Sequence, residues 1–200
     1  KYYIYFFDYR TIIIGIVLTL ASLITCFFMT GRKSRIGEVC LKDFLIDYSF
    51  KIAPYIIFPL ITLVILIYVR KIFNTNIVVR YINIRAFYAD IIIGVVTGTI
   101  IVLFLTLLII SLGGIIFCDF RIDNWECQEA YSRIVYDVKL VDTHVLKLMA
   151  VIFISWVLIA FINFEICLII HRFTGNLYFG YILSVMLDIY CLLETANTQI

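Results

Sequence analysis

Charge is the first thing this sequence is short of. Asp, Glu, Lys and Arg together make up 15% of its 200 residues, against 64% for the hydrophobic set, and the mean hydropathy is +1.08. Soluble domains carry about a quarter charged and about half apolar residues. A soluble fold of this length could not enclose so much apolar surface, so lipid must cover it. The net charge of +2 is too small for a chain built to neutralise a phosphate backbone, and no nucleic-acid partner is expected. The basic residues read instead as topology signals and lipid-headgroup contacts.

Histidine is nearly absent. His144 and His171 fall at opposite ends of one apolar run, so they cannot share a metal ion within one chain, and no metal site is expected. Enzyme signatures are missing too. There is no phosphate-binding loop of the Gly-x-x-x-x-Gly-Lys-Ser/Thr type, and no HExxH, CxxC or Gly-x-Ser-x-Gly. The chain is therefore not expected to be an enzyme or to bind a cofactor of its own. Proline occurs twice, at Pro54 and Pro59. Pro54 would sit in the first turn of a helix, where its missing N–H costs little, whereas Pro59 would remove an interior hydrogen bond and kink the helix.

What is present is apolar run after apolar run. The fold class is an all-α polytopic membrane protein, one transmembrane domain over residues 1–200. About five spans are expected, near residues 11–29, 52–69, 91–117, 148–170 and 177–193, each close to the roughly 20 residues that cross the hydrocarbon or longer. Residues 1–10 are aromatic and read as an interfacial segment rather than a cleavable signal. In the loop after the first span, Leu41, Phe44, Leu45 and Tyr48 recur at helical spacing and predict a short amphipathic helix. The third span opens with Gly94 and Gly98, a small-xxx-small pair that lets two helix backbones approach. Ser111, Gly113 and Gly114 should loosen its far end, and Asp90 should cap its start. Thr174-Gly175-Asn176 predicts a tight turn between the last two spans.

Sidedness rests on the loops. Basic residues fall almost evenly on the two faces, but residues 70–89 hold no acid, whereas residues 118–147 hold six of the fourteen acids: Asp119, Asp123, Glu126, Glu129, Asp137 and Asp142. This places the N-terminus and the 70–90 loop in the cytoplasm, and the 118–147 loop outside, in a multi-pass protein of the plasma membrane. Cys118 and Cys127 flank that outer loop and Cys40 lies on the same face. A disulfide between Cys118 and Cys127 is one reading, which needs an oxidising compartment; buried free thiols are the other.

Charges inside spans are costly and mark candidate sites. Glu165 and Asp188 qualify, on adjacent helices where they could share a polar seam. They could serve a proton or cation relay or touch a polar substrate; alternatively a carboxylate is simply hydrogen-bonded to Asn163, a Tyr or a Ser. Cys167 and His171, four apart on one helix, are the one thiol–imidazole pair on a common face.

The segment Asn76-Ile-Val-Val-Arg80-Tyr81-Ile-Asn83-Ile-Arg85-Ala-Phe87-Tyr88 resembles the cytoplasmic loop between the second and third spans of ABC-2-type transporter permeases, particularly small bacterial efflux permeases associated with bacteriocin or peptide export. The resemblance covers roughly residues 55–107. It implies a transmembrane subunit that pairs with a second permease chain, identical or not, and with separate ATPase subunits that carry the ATP and Mg. Arg80, Tyr81, Arg85, Phe87 and Tyr88 would couple to the ATPase, and the substrate would be an amphipathic peptide or lipid-like compound moved by alternating access. Such permeases usually have six spans against about five here, so a sixth would either lie beyond Ile200 or be absent, and the 118–147 loop is longer than their usual turn. The alternatives are an intramembrane peptidase or lipid-modifying enzyme using Cys167, His171, Glu165 or Asp188, and a non-transporting scaffold or immunity protein.

Overall fold

The computed structural model describes residues 38–72, 84–125, 131 and 144–197, with scattered positions between 13 and 28. All regular structure among them is helical, and three helices are long and apolar enough to cross a membrane, with a shorter apolar helix at Tyr178–Tyr190.

The chain enters through α1 (Leu41–Asp47), a π-helical stretch (Tyr48–Ile52) and α2 (Ala53–Ile72). These three form one rod, so the second span starts well before residue 52. The four residues whose spacing predicted an amphipathic helix are its buried face: Leu41, Phe44, Leu45 and Tyr48 are between 0% and 3% exposed. Pro54 accounts for the wide turn. It offers no N–H to the residue-50 carbonyl and its ring would crowd that carbonyl. The turn before it opens to an i→i+5 pattern, in which the Ala53 N–H donates to the Tyr48 carbonyl. The helix then continues through Pro59 to Ile72.

Next comes α3 (Ile84–Phe117), 34 residues long. At 1.5 Å per residue it spans about 50 Å, well beyond the roughly 30 Å of hydrocarbon, so it tilts or projects. It starts seven residues earlier than the sequence pattern indicated, which corrects the reading of Asp90: that residue lies on the exposed surface of a running helix, not at its start. Phe87, Ile91, Val95, Thr99, Leu103 and Leu107 recur at spacings of four and lie inside, while the opposite, lipid-facing side carries bulky aliphatics. Gly94 and Gly98 are buried on the same inner face.

The far end of α3 is not loosened by its glycines; they are where neighbours come closest. A Cβ on Gly114 would lie 2.7 Å from the Phe44 ring and 2.8 Å from Leu41, and one on Gly113 would lie 2.9 Å from Leu23. The helical residues between 13 and 28 therefore lie against this end, with Phe27 and Phe117 ring centroids 4.7 Å apart. Asp119 and Phe120, at φ of 50° and 62°, turn the chain out of the helix.

The last two helices form an antiparallel hairpin, α4 (Val145–Thr174) and α5 (Leu177–Asn197). His144 caps α4 by accepting the Leu146 N–H on Nδ1 at 3.3 Å. Gly175, at φ 69°, closes it with an N–H to the His171 carbonyl at 2.8 Å. Asn176 then starts α5 by accepting the Tyr178 N–H at 2.9 Å. The predicted Thr174-Gly175-Asn176 turn is thus present. The hairpin is tight: a Cβ on Gly180 would meet the Cys167 Cα at 2.9 Å and its carbonyl oxygen at 3.0 Å. These are backbone atoms that cannot swing aside, so Gly180→Ala must push the helices apart. We expect it to lower stability by about 1–3 kcal/mol, seen as a lower thermal midpoint in detergent. Gly15→Ala, at a position with nothing within 4 Å, serves as the control.

Candidate functional site

The candidate site is an intramembrane cleft of about 690 Å³ between the rod and the hairpin, a size within the range of small-molecule sites. One wall is a single face of α4, where Leu148, Ile152, Ser155, Ile159, Asn163 and Ile166 succeed one another at spacings of three and four. The facing wall is the π-helical stretch and the start of α2, and the hairpin partner α5 contributes Leu187 and Asp188. Trp156, 2% exposed, forms part of the floor. It is wedged between Tyr48 and Phe58, with centroids at 6.1 and 6.4 Å. The mouth faces the bilayer, since Phe50, Val151 and Ile162, all on the lining, are more than half exposed.

Polar groups in this cleft are few. The Asn163 amide Nδ2 donates to Asp188 Oδ2 at 2.7 Å, and Ser49 Oγ is buried with no hydrogen-bond partner among the described residues. The Asn163–Asp188 pair follows from hairpin arithmetic. Each residue lies eleven positions from the turn-proximal end of its helix, about 17 Å along the axis at 1.5 Å per residue, and antiparallel helices bring equal levels together. The next matched pair is Cys167 and Ser184, 3.8 Å apart. Gly180, Ser184 and Asp188 thus form a stripe at spacings of four, through which α5 approaches α4.

The polar seam proposed from the sequence forms only in part. Asp188 is half-buried and bonded to Asn163, but Glu165 is exposed on α4, away from it. Cys167 is fully buried against α5, and His171 Nδ1 is buried without a hydrogen-bond partner among the described residues, so no Cys167–His171 hydrogen bond forms there. Ser49 and Trp156 were not singled out in advance. For Trp156 the signal was its place among regularly spaced residues of α4, which a span reading treats as lipid surface; Ser49, on the π-helical stretch, had none.

Of the coupling residues, Arg80 and Tyr81 lie outside the described residues. Arg85 is exposed in the first turn of α3, and Tyr88 is helical. Phe87 is 2% exposed and packs within the core, so it is not available to anchor a surface segment. Nearby, Arg70 donates to the Tyr178 hydroxyl and lies over its ring, 5.6 Å from the centroid, tying the end of α2 to the start of α5.

The opposite end of the bundle is closed by a polar clasp. Lys42, 1% exposed, pairs with Asp123 and lies 4.7 Å from the Trp125 ring centroid. The Trp125 indole N–H donates to Asp43 at 2.9 Å, and Arg121 pairs with Glu38 at 2.6 Å. Backbone bonds from Leu41 to Arg121 and from Tyr131 to Glu38, both 2.9 Å, bind the loop to the entry of α1. Cys40 donates to Asp43 from both its backbone N–H and its thiol, at 3.3 and 3.4 Å. Burial, reinforced by the Asp43 carboxylate, pushes the Cys40 thiol up to about 12. Cys118 is buried, and its suggested partner Cys127 lies outside the described residues.

No family model, curated protein or solved structure matches this chain. The class that the fold and cleft define is an all-helical membrane protein with a lipid-facing intramembrane cavity.

Two outcomes follow from the clasp and the thiols. Partial burial alone would raise the Asp123 carboxyl, but its hydrogen bond and charge contact with Lys42, with the Trp125 N–H, hold it below the usual carboxylate range. A depressed folded value means the stabilisation is complete above the ordinary carboxylate value near 4 and is lost as pH falls through and below it. Thermal midpoints should therefore drop on acidification below about pH 4 more steeply in the wild type than in Asp123→Asn. At pH 8 iodoacetamide should leave Cys40 and Cys167 unmodified in the folded protein, since the buried thiols supply no accessible thiolate. Mass spectrometry should find both alkylated after denaturation.

Proposed function

We propose that the chain is the membrane-embedded permease subunit of an exporter that takes an amphipathic, lipid-like or peptide substrate into the cleft between the α1–α2 rod and the α4–α5 hairpin. The observation that carries this reading is the cleft itself. It is apolar, wide enough for one small amphiphile, open toward the bilayer, and has a single carboxylate–amide pair at depth. A site with these walls suits a substrate that partitions into lipid first and enters sideways. Moving such a molecule requires the cleft to change the face to which it opens, and the rod and the hairpin are the two bodies whose relative motion would do so.

Energy would come from separate ATPase subunits that bind ATP and Mg, with a second permease chain completing the pathway. The resemblance in residues 76–88 supports this part. Arg80 and Arg85, with Tyr81, would meet carboxylates on the ATPase through charge-assisted hydrogen bonds, just ahead of the rigid α3. The exposed Glu165 is consistent with a companion chain in the membrane, because a carboxylate facing lipid is costly without a polar neighbour.

Co-purification tests the reading. Expressed with the genes that flank its own, the tagged chain should bring down an ATP-binding subunit, and Arg80→Glu with Arg85→Glu should reduce the recovered ATPase at least several-fold while the chain still reaches the membrane. Stable isolation without any ATPase, or recovery unaffected by both reversals, would overturn it.

A further inference from the structure

The chemistry of the cleft narrows its ligand further than a lipid-like molecule. Sixteen residues line it, and none is Lys, Arg or His; the only charged group is Asp188. Among the described residues that carboxylate receives one hydrogen bond, on Oδ2, from the neutral amide of Asn163. A carboxylate can accept about four, and among the described residues no cation approaches it. A carboxylate at this depth is costly unless it is paired, and here the described residues offer only half of what would satisfy it. Asn163 is 2% exposed, so its amide holds one carboxylate oxygen in place, while Asp188 itself lines the cavity. The rest of the wall is aliphatic and aromatic, interrupted only by Ser155 and by Ser49, whose hydroxyl has no hydrogen-bond partner among the described residues. The α4 wall from Leu148 to Asn163 extends for fifteen residues, about 22 Å at 1.5 Å per residue, long enough for an extended apolar chain.

We propose that the cleft binds a hydrophobic monocation, an apolar body bearing one ammonium-type group, with the cation on Asp188 and the apolar body along α4 toward Leu148. Asn163 acts as a positioning residue that fixes the carboxylate, and Asp188 supplies the charge selectivity. A neutral amphiphile fits the walls but leaves the carboxylate unpaired, and an anionic one brings two like charges together away from water. The inference rests on reading the cleft as the substrate site.

The test is equilibrium binding of labelled dodecylammonium, dodecanol and dodecanoate to the purified chain in nanodiscs of zwitterionic lipid, with empty nanodiscs subtracted. In the wild type the ammonium should bind saturably at one site and on the order of tenfold more tightly than dodecanol, the factor that one partly buried ion pair of about 1.4 kcal/mol supplies. Dodecanoate should bind more weakly than dodecanol. Asp188→Asn preserves shape and should abolish the preference for the ammonium over dodecanol. Val151→Trp, which fills the mouth, should weaken all three. A wild type that does not prefer the ammonium, or an Asp188→Asn protein that still does, overturns the proposal, as does the absence of any saturable binding. The assay needs no ATPase, so the two readings fail separately. Cation selectivity that depends on Asp188 without a co-purifying ATPase would retire the exporter reading alone. An ATPase partner with no cation selectivity would retire this one alone.

Discussion

The three helices α3, α4 and α5 all pack against one buried rod, the continuous α1–π–α2 element from Leu41 to Ile72. In lipid the apolar surfaces of two helices gain little by leaving hydrocarbon for each other, so association depends on close packing and on polar contacts. The rod meets both needs. Phe44, Tyr48, Ile57 and Ile65 are at most 1% exposed, and the clasp of Lys42, Asp123 and Trp125 holds its entry end. Close approach is bought with missing side chains: Gly114 lets α3 lie against Phe44, and Gly180 lets α5 lie against the α4 backbone.

Polar groups are sorted by depth. At the loop end, where water competes, charges pair with charges, as Lys42 with Asp123 and Arg121 with Glu38. In the middle, Asp188 meets an amide and Cys167 meets a hydroxyl. The first arrangement stabilises a loop. The second leaves a carboxylate half-satisfied beside an open cavity, as expected of a group kept for a ligand rather than for the fold. Such incomplete satisfaction is rare in buried positions because an unpaired group there is expensive.

Much of the architecture could be read in advance. Runs without charge marked the helices, the spacing of Leu41, Phe44, Leu45 and Tyr48 marked α1, and Thr174-Gly175-Asn176 marked the hairpin turn. Boundaries were read too short, at α1–α2, α3 and α4 alike. Hydropathy sees where charge begins, but a helix continues past that point whenever its polar residues can reach the surface, as Arg85 and Asp90 do. Gly113 and Gly114 were misread for a related reason. Glycine lowers helix propensity in isolation, yet in a bundle it is selected for the neighbour it admits.

Composition by itself determined that this chain is helical and lies in lipid, because in hydrocarbon only structures that satisfy their own backbone hydrogen bonds survive. It also marked Asp188 as costly where it stands. What it could not decide was what Asp188 and Glu165 each face, since a helical residue's orientation depends on which neighbours the helix finds. Tertiary packing turned Asp188 toward Asn163 and a cavity, left Glu165 outside the bundle, and gathered Ser49, Trp156 and one face of α4 from segments up to about a hundred residues apart into a single wall. Contacts between elements so distant in sequence have no local signature, because periodicity reports that a face exists but not what it meets.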